Sequence, residues 1–194
     1  MTKAEVQSNI RYTENLVAQY QRKLNSLNQQ LSSLNATARQ LESQNQDLIR
    51  RKQKLESEMG ELASLKQKLQ GLQNDFSSKQ TKRVNGYNKN ITQVFSVNFF
   101  SSYIDGMKML LSGSEYRNTY NGLTSALEKV SKKTQEKQRE IDSVTNQING
   151  VRSKIDSTNR EISTCRNNIG QTNNDLAYRK KRIQYWKDQL KYAT

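Results

Sequence analysis

The sequence predicts an all-α chain: a long antiparallel coiled-coil helical hairpin with a small apolar head at its turn. Three observations carry that expectation. None of the 194 residues is proline, where an average chain of this length has roughly ten. Two long segments repeat apolar residues at alternating steps of three and four, and a short stretch rich in aromatics and glycine separates them. Only 32% of the chain is hydrophobic, against roughly 45 to 50% in a globular domain, and 20 Asn with 20 Gln enlarge the polar share. A narrow apolar seam is therefore expected in place of a thick core.

The N-terminal arm, residues 1–76, carries the first seam. It runs Val17, Tyr20, Leu24, Leu27, Leu31, Leu34, Ala38, Leu41, Asn45, Leu48, Lys52, Leu55, Met59 and Leu62, the heptad spacing of a coiled coil. Val6, Ile10 and Thr13 share its phase, so the helix is expected to begin within the first residues, capped by Thr2 with Glu5 three places on. After Leu62 the leucines step by three to Leu65 before Leu69, Leu72 and Phe76 resume. Taken as the seam, that step predicts local overwinding.

The C-terminal arm, residues 123–194, carries the second seam: Leu123, Leu127, Val130, Thr134, Lys137, Ile141, Val144, Ile148, Val151, Ile155, Thr158, Ile162, Cys165, Ile169, Thr172, Leu176, Arg179, Ile183, Trp186 and Leu190. The alternation never breaks. Such a sparse stripe needs a partner helix, because most helix stability in proteins comes from burying the apolar face. Polar seam residues, here Asn45, Lys52, Lys137 and Arg179, set register or admit solvent. Cys165 on the seam reads as a small core residue.

Between the arms, residues 77–122 break the period and hold three of the four phenylalanines. Phe95, Phe99, Phe100, Tyr103, Ile104, Met107, Leu110, Leu111 and Gly113 form the candidate partner-binding head, too bulky for a two-helix seam. The turn is expected between residues 105 and 114, where Gly106, Gly113, Ser112 and Ser114 relieve helical geometry. Folding there pairs the second arm with residues 31–98 and leaves the residues before Leu31 as an overhang. The arm from Leu123 to Leu190 would be on the order of 100 Å long, giving a rod. Parallel pairing of each arm with its copy in a second chain is the alternative arrangement.

Composition also limits the chemistry. With no histidine and one cysteine, imidazole bases, imidazole ligands and thiolate clusters are unavailable. No cofactor, metal or catalytic set is expected, and the chain reads as a non-enzyme. No apolar run approaches the length of a membrane span, and the N-terminus lacks the pattern of a secretory leader. The net charge of +14 is spread over the whole chain, which weakens a nucleic-acid reading. Its densest patch, Arg179, Lys180, Lys181 and Arg182, is interleaved with Tyr178, Tyr185, Trp186 and Tyr192. That patch is a candidate charged contact with an acidic protein surface, beside the plainer reading of cations suited to a helix C-terminus.

The stretch Leu111-Ser112-Gly113-Ser114-Glu115-Tyr116, lying between a basic helical segment and a long Ile/Lys/Glu-rich one, resembles the WXG-type helical hairpins of bacterial type VII secretion. Within that group the layout of residues 26–150 is most similar to the YwqH-like, LXG-associated α-helical proteins. Leu111 stands where the WXG pattern has tryptophan, with Gly113 allowing close helix approach. The export-tail spacing of tyrosine to an acidic residue four places on is absent, since Gln189 follows Tyr185 and Arg182 follows Tyr178. The resemblance implies a targeting factor or chaperone in the bacterial cytoplasm. It would bind the helical N-terminal domain of an LXG-type effector, or a WXG-type partner, and leave the cell only with that partner. A homo-oligomeric coiled-coil scaffold and a basic nucleic-acid-binding rod are the alternatives, discriminated by solution mass and by salt dependence.

Overall fold

The computed structural model describes residues 1–94, 106, 107, 109 and 113–193, without the side chains of 88 and 90–94. It is 97% helical, and no strand occurs among the described residues. Two long helices account for nearly all of it: α1, Lys3–Val94, and α2, Ser114–Leu190. They pack as an all-α helical hairpin.

Local chemistry explains where α1 starts. The backbone N–H of Thr2 donates to Glu5 Oε2 at 2.8 Å, and the Glu5 N–H donates to Thr2 Oγ1 at 3.3 Å. This reciprocal box satisfies two donors that the first helical turn leaves free. Glu5 also places negative charge in the first turn, where the helix dipole favours it. At α2 the first bond runs from the Arg117 N–H to the Gly113 carbonyl, 3.3 Å. Both helices run through glycines: Gly60, Gly71, Gly86, Gly122, Gly150 and Gly170 have nothing within 4 Å of where a Cβ would stand, and none has positive φ.

Packing divides the chain into two units, Met1–Ile49 with Gln147–Thr194 and Arg50–Asn146. In the first unit, Lys187 Nζ lies 3.9 Å from Glu14 Oε1 and the Cys165 thiol donates to the Leu27 carbonyl at 3.3 Å. Partner numbers fall along α2 as they rise along α1, so the helices are antiparallel. The core here is Val6, Thr13 and Ala38 against Ile148, Val151, Thr158, Ile162, Cys165, Thr172 and Leu176, all buried. Thr13 keeps its hydroxyl satisfied by donating to the Asn9 carbonyl at 2.7 Å, the usual recourse of a buried helical threonine.

In the second unit, Glu58 faces Lys137, Gln73 Nε2 donates to Thr124 Oγ1 at 2.7 Å, and Phe76 stacks on Tyr116 with ring centroids 5.2 Å apart. This pairing is antiparallel too. Leu55, Val130, Ile141 and Val144 are buried. Toward the end of the pairing coverage thins, and Leu62, Leu69, Phe76, Leu123 and Leu127 are only half-buried.

Every position of the second seam, Leu123 to Leu190, is buried or half-buried, as its unbroken spacing predicts. Two expectations about α1 are corrected. The pairing expected from a turn between residues 105 and 114 would place Cys165 opposite Glu56 and Lys187 opposite Leu34, but they meet Leu27 and Glu14. Nor do the first residues overhang, because Val6 is 1% exposed and Thr13 is 4% exposed. Gly106, part of the expected turn signal, is itself helical. A glycine weakens a helix by only about 1 kcal/mol, whereas each large apolar side chain brought into a seam contributes roughly 1.5 to 3 kcal/mol, so the register that pairs more of α1 wins.

The expected overwinding after Leu62 is also corrected. Burial follows Leu62, Lys66, Leu69, Gln73, Phe76 and Gln80, an unbroken three-four alternation. Leu65 and Leu72 fall outside it, 45% and 59% exposed.

Candidate partner-binding site

Most of the candidate head, Phe95, Phe99, Phe100, Tyr103, Ile104, Leu110 and Leu111, lies outside the described residues. Met107 is helical and half-buried, and Met109 is helical and 74% exposed. Gly113 sits so close to the Met109 carbonyl that a side chain there would collide with it, with the carbonyl carbon 2.8 Å from a Cβ position. Glycine at 113 is thus a steric requirement of the backbone entering α2. Just beyond it the rings of Phe76, Tyr116 and Tyr120 form a continuous stack, the second pair at 6.0 Å. Tyr120 is 36% exposed, so the stack ends at solvent.

The charged tail is a separate feature, in the first unit. Arg179 occupies the seam, half-buried, with its guanidinium carbon 5.6 Å from the Tyr178 ring centroid and a buried Nε that has no hydrogen-bond partner. Arg182 lies over both Tyr185, at 5.1 Å, and Trp186, at 4.7 Å, and those two rings meet edge to face. Such cation–π contacts hold a guanidinium in place while its N–H groups remain available. Lys180 and Lys181 are exposed, and no carboxylate among the described residues pairs with either. The tail therefore divides: Arg179 belongs to the core, and Lys180, Lys181 and Arg182 form a free cationic face. Tyr178 and Tyr185, seven apart and exposed, share a side of α2, and Tyr192 follows at the same spacing, exposed, in the turn beyond the helix end. That tyrosine spacing is visible in the sequence once a heptad is looked for outside the seam.

Three polar seam positions behave differently. Lys137 is satisfied, with Nζ 2.9 Å from Glu58 Oε2 on α1 and 3.4 Å from Glu140 on its own helix. The hydrogen bond from Lys137 holds the Glu58 carboxyl below its ordinary pKa, and the same bond raises that of Lys137. Lys52 pairs within α1, 3.6 Å from Glu56. Asn45 keeps a buried Oδ1 without a partner, a cost usually tolerated where a polar residue fixes register.

No group of three histidine, cysteine or carboxylate side chains able to hold a metal occurs among the described residues. No described helix is long and apolar enough to cross a membrane. The fold defines the class, an all-α antiparallel helical hairpin. No family model, curated protein or solved structure matches the chain.

Proposed function

We propose that the chain is a non-enzymatic helical partner, similar to the LXG-associated proteins of type VII secretion, that binds the helical N-terminal domain of an effector and assists its export. One observation carries the reading: the hairpin leaves apolar and aromatic surface uncovered toward the head. Leu62, Leu69, Leu123 and Leu127 are half-buried, the Phe76–Tyr116–Tyr120 stack runs out to solvent, and Met109 is exposed. Exposed apolar surface can serve as a binding face, and methionine adapts to varied targets. Lys180, Lys181 and Arg182 supply a second, electrostatic contact for an acidic partner surface.

The test is titration of the full chain with the isolated helical N-terminal domain of an LXG-type effector, followed by calorimetry. Phe99→Asp with Ile104→Asp abolishes binding and leaves helicity unchanged, whereas charge reversal at Lys180 and Lys181 weakens it modestly and in a salt-dependent way. Wild-type affinity in the head variant would move the binding surface away from the head.

A further inference from the structure

Two of the four leucines of α1 between residues 62 and 76, Leu65 and Leu72, lie off the face that α2 covers. Their own stripe is Leu62, Leu65, Leu69, Leu72, Phe76, whereas α2 covers Leu62, Lys66, Leu69, Gln73, Phe76. The intrachain seam thus takes in a lysine and a glutamine while Leu65 and Leu72 remain 45% and 59% exposed one heptad apart. One seam column here is apolar, Leu62, Leu69 and Phe76, and the flanking column of Leu65 and Leu72 is surface that two helices alone do not cover and a further helix can. A groove of about 300 Å³ lined by Leu62, Leu65, Lys133 and Lys137 with Glu58 and Glu61 opens beside Leu65.

We infer that this face of the second unit packs against the same face of a second copy of the chain, making a four-helix assembly with twofold symmetry. The stripe is self-complementary. Laid antiparallel on itself, Leu65 of one copy meets Leu72 of the other and Leu72 meets Leu65, as an isologous interface requires. The same register sets Glu58, bonded to Lys137 at 2.9 Å, against Lys79, which lies 4.0 Å from Asp75 on its own helix, so opposite charges meet at both ends as an addition to those intrachain pairs. Lys68 lies beside its own copy near the twofold axis, a repulsion that adds to the like net charge of +14 on each chain.

Area and charge together set the strength. From Glu58 to Lys79 the face is about 33 Å long at 1.5 Å per residue and roughly 20 Å wide across two helices, so each copy buries on the order of 600 Å², toward the low end of specific interfaces. The dimer is therefore weak and reversible, with a dissociation constant in the micromolar range. Because net charge opposes it and salt screens that charge, dimerisation strengthens as ionic strength rises, the opposite of binding to a polyanion.

Sedimentation equilibrium of the full chain at 50 and 500 mM salt tests the inference. The expected result is a monomer–dimer equilibrium that tightens several-fold with salt and that weakens by about 100-fold or more in Leu65→Glu with Leu72→Glu. Both leucines are exposed in the monomer, so circular dichroism and thermal melting of that variant at dilute concentration match wild type. Lys79→Glu, at an exposed position outside the intrachain seam, weakens the dimer. A strictly monomeric chain up to several hundred micromolar, or a double variant that dimerises like wild type, overturns the inference. So does a monomer in which the two leucine substitutions remove binding to a helical effector domain, since the face would then belong to that partner.

Discussion

Replacing Leu27 with cysteine turns the register of the hairpin into a covalent readout. Cys165 is the only cysteine in the chain, it is 3% exposed, and its sulfur lies 3.3 Å from the carbonyl oxygen of Leu27. A second sulfur on residue 27 therefore enters the same seam layer, and mild oxidation should close one intramolecular disulfide. The two positions are 138 residues apart, so the bridge removes a large loop from the unfolded ensemble, about 5 kcal/mol in the chain-entropy treatment, with strain in the bridge subtracting from that. The assay is intact mass with and without reductant, a non-reducing gel at low protein concentration, and the shift of the urea midpoint on oxidation. Glu56→Cys is the matched control, because a turn between residues 105 and 114 would bring that position to Cys165 instead. Bridging in Glu56→Cys and not in Leu27→Cys would refute the register, and disulfide-linked dimers in both would refute the intrachain hairpin in the first unit.

Three further outcomes follow from the same packing. Leu55, 5% exposed, and Leu65, 45% exposed, separate the seam from its flank: Leu55→Ala should cost about 2 to 4 kcal/mol in urea unfolding and Leu65→Ala at dilute concentration well under 1, and equal costs would overturn the assigned phase. Depression of the Glu58 pKa means that its contribution is present above the ordinary carboxylate range and is lost as pH falls through the lowered value. Lys137, with its pKa raised, contributes below the ordinary lysine range and loses that contribution as pH rises through the raised value. Wild type should then lose melting temperature more steeply than Glu58→Gln below about pH 4, and parallel curves would deny the coupling. Thr2→Ala should weaken the start of α1 by about 1 kcal/mol, seen as faster amide exchange at Glu5 and Val6 with exchange in the Ile141 to Ile148 region unchanged.

The second seam was legible in full because isoleucine and valine at strict three-four steps leave one helix face to bury. The cap at Thr2 and Glu5 was equally plain, since it depends on two side chains and their spacing alone. The stretch from Leu62 to Phe76 misleads for a physical reason: leucine is read as a seam marker, but the phase of a continuous helix is set by everything packed on it, and α2 holds Lys66 and Gln73 inward. The register differs from the expected one because glycine and serine between 105 and 114 signal a turn only locally, whereas register is set by the whole seam, Val6 and Thr13 included. Within the charged tail, Lys180, Lys181 and Arg182 are exposed while Arg179 is half-buried on the seam, a position set by the heptad in which its charge is an exception. Tyr178 and Tyr185 stand in the sequence at heptad spacing, whereas the exposure of Leu65 and Leu72 is defined by what the partner helix leaves uncovered.

The helical glycines carry a consequence for how the molecule breathes. Gly60, Gly71, Gly86, Gly122, Gly150 and Gly170 adopt ordinary helical φ with open space where a side chain would stand, so nothing steric excludes alanine there. Each such exchange is worth roughly 0.5 to 1 kcal/mol in helix propensity, and six together come to roughly 3 to 6 kcal/mol, comparable with the low end of a domain's net stability. Neither helix then holds its shape without its neighbour across the seam, and a local loss of pairing lets the backbone on both sides open to solvent. Exchange of amide hydrogens should be fastest in the turns around these six residues and slowest around Val144 and Thr172, dividing each continuous helix into alternating soft and firm segments.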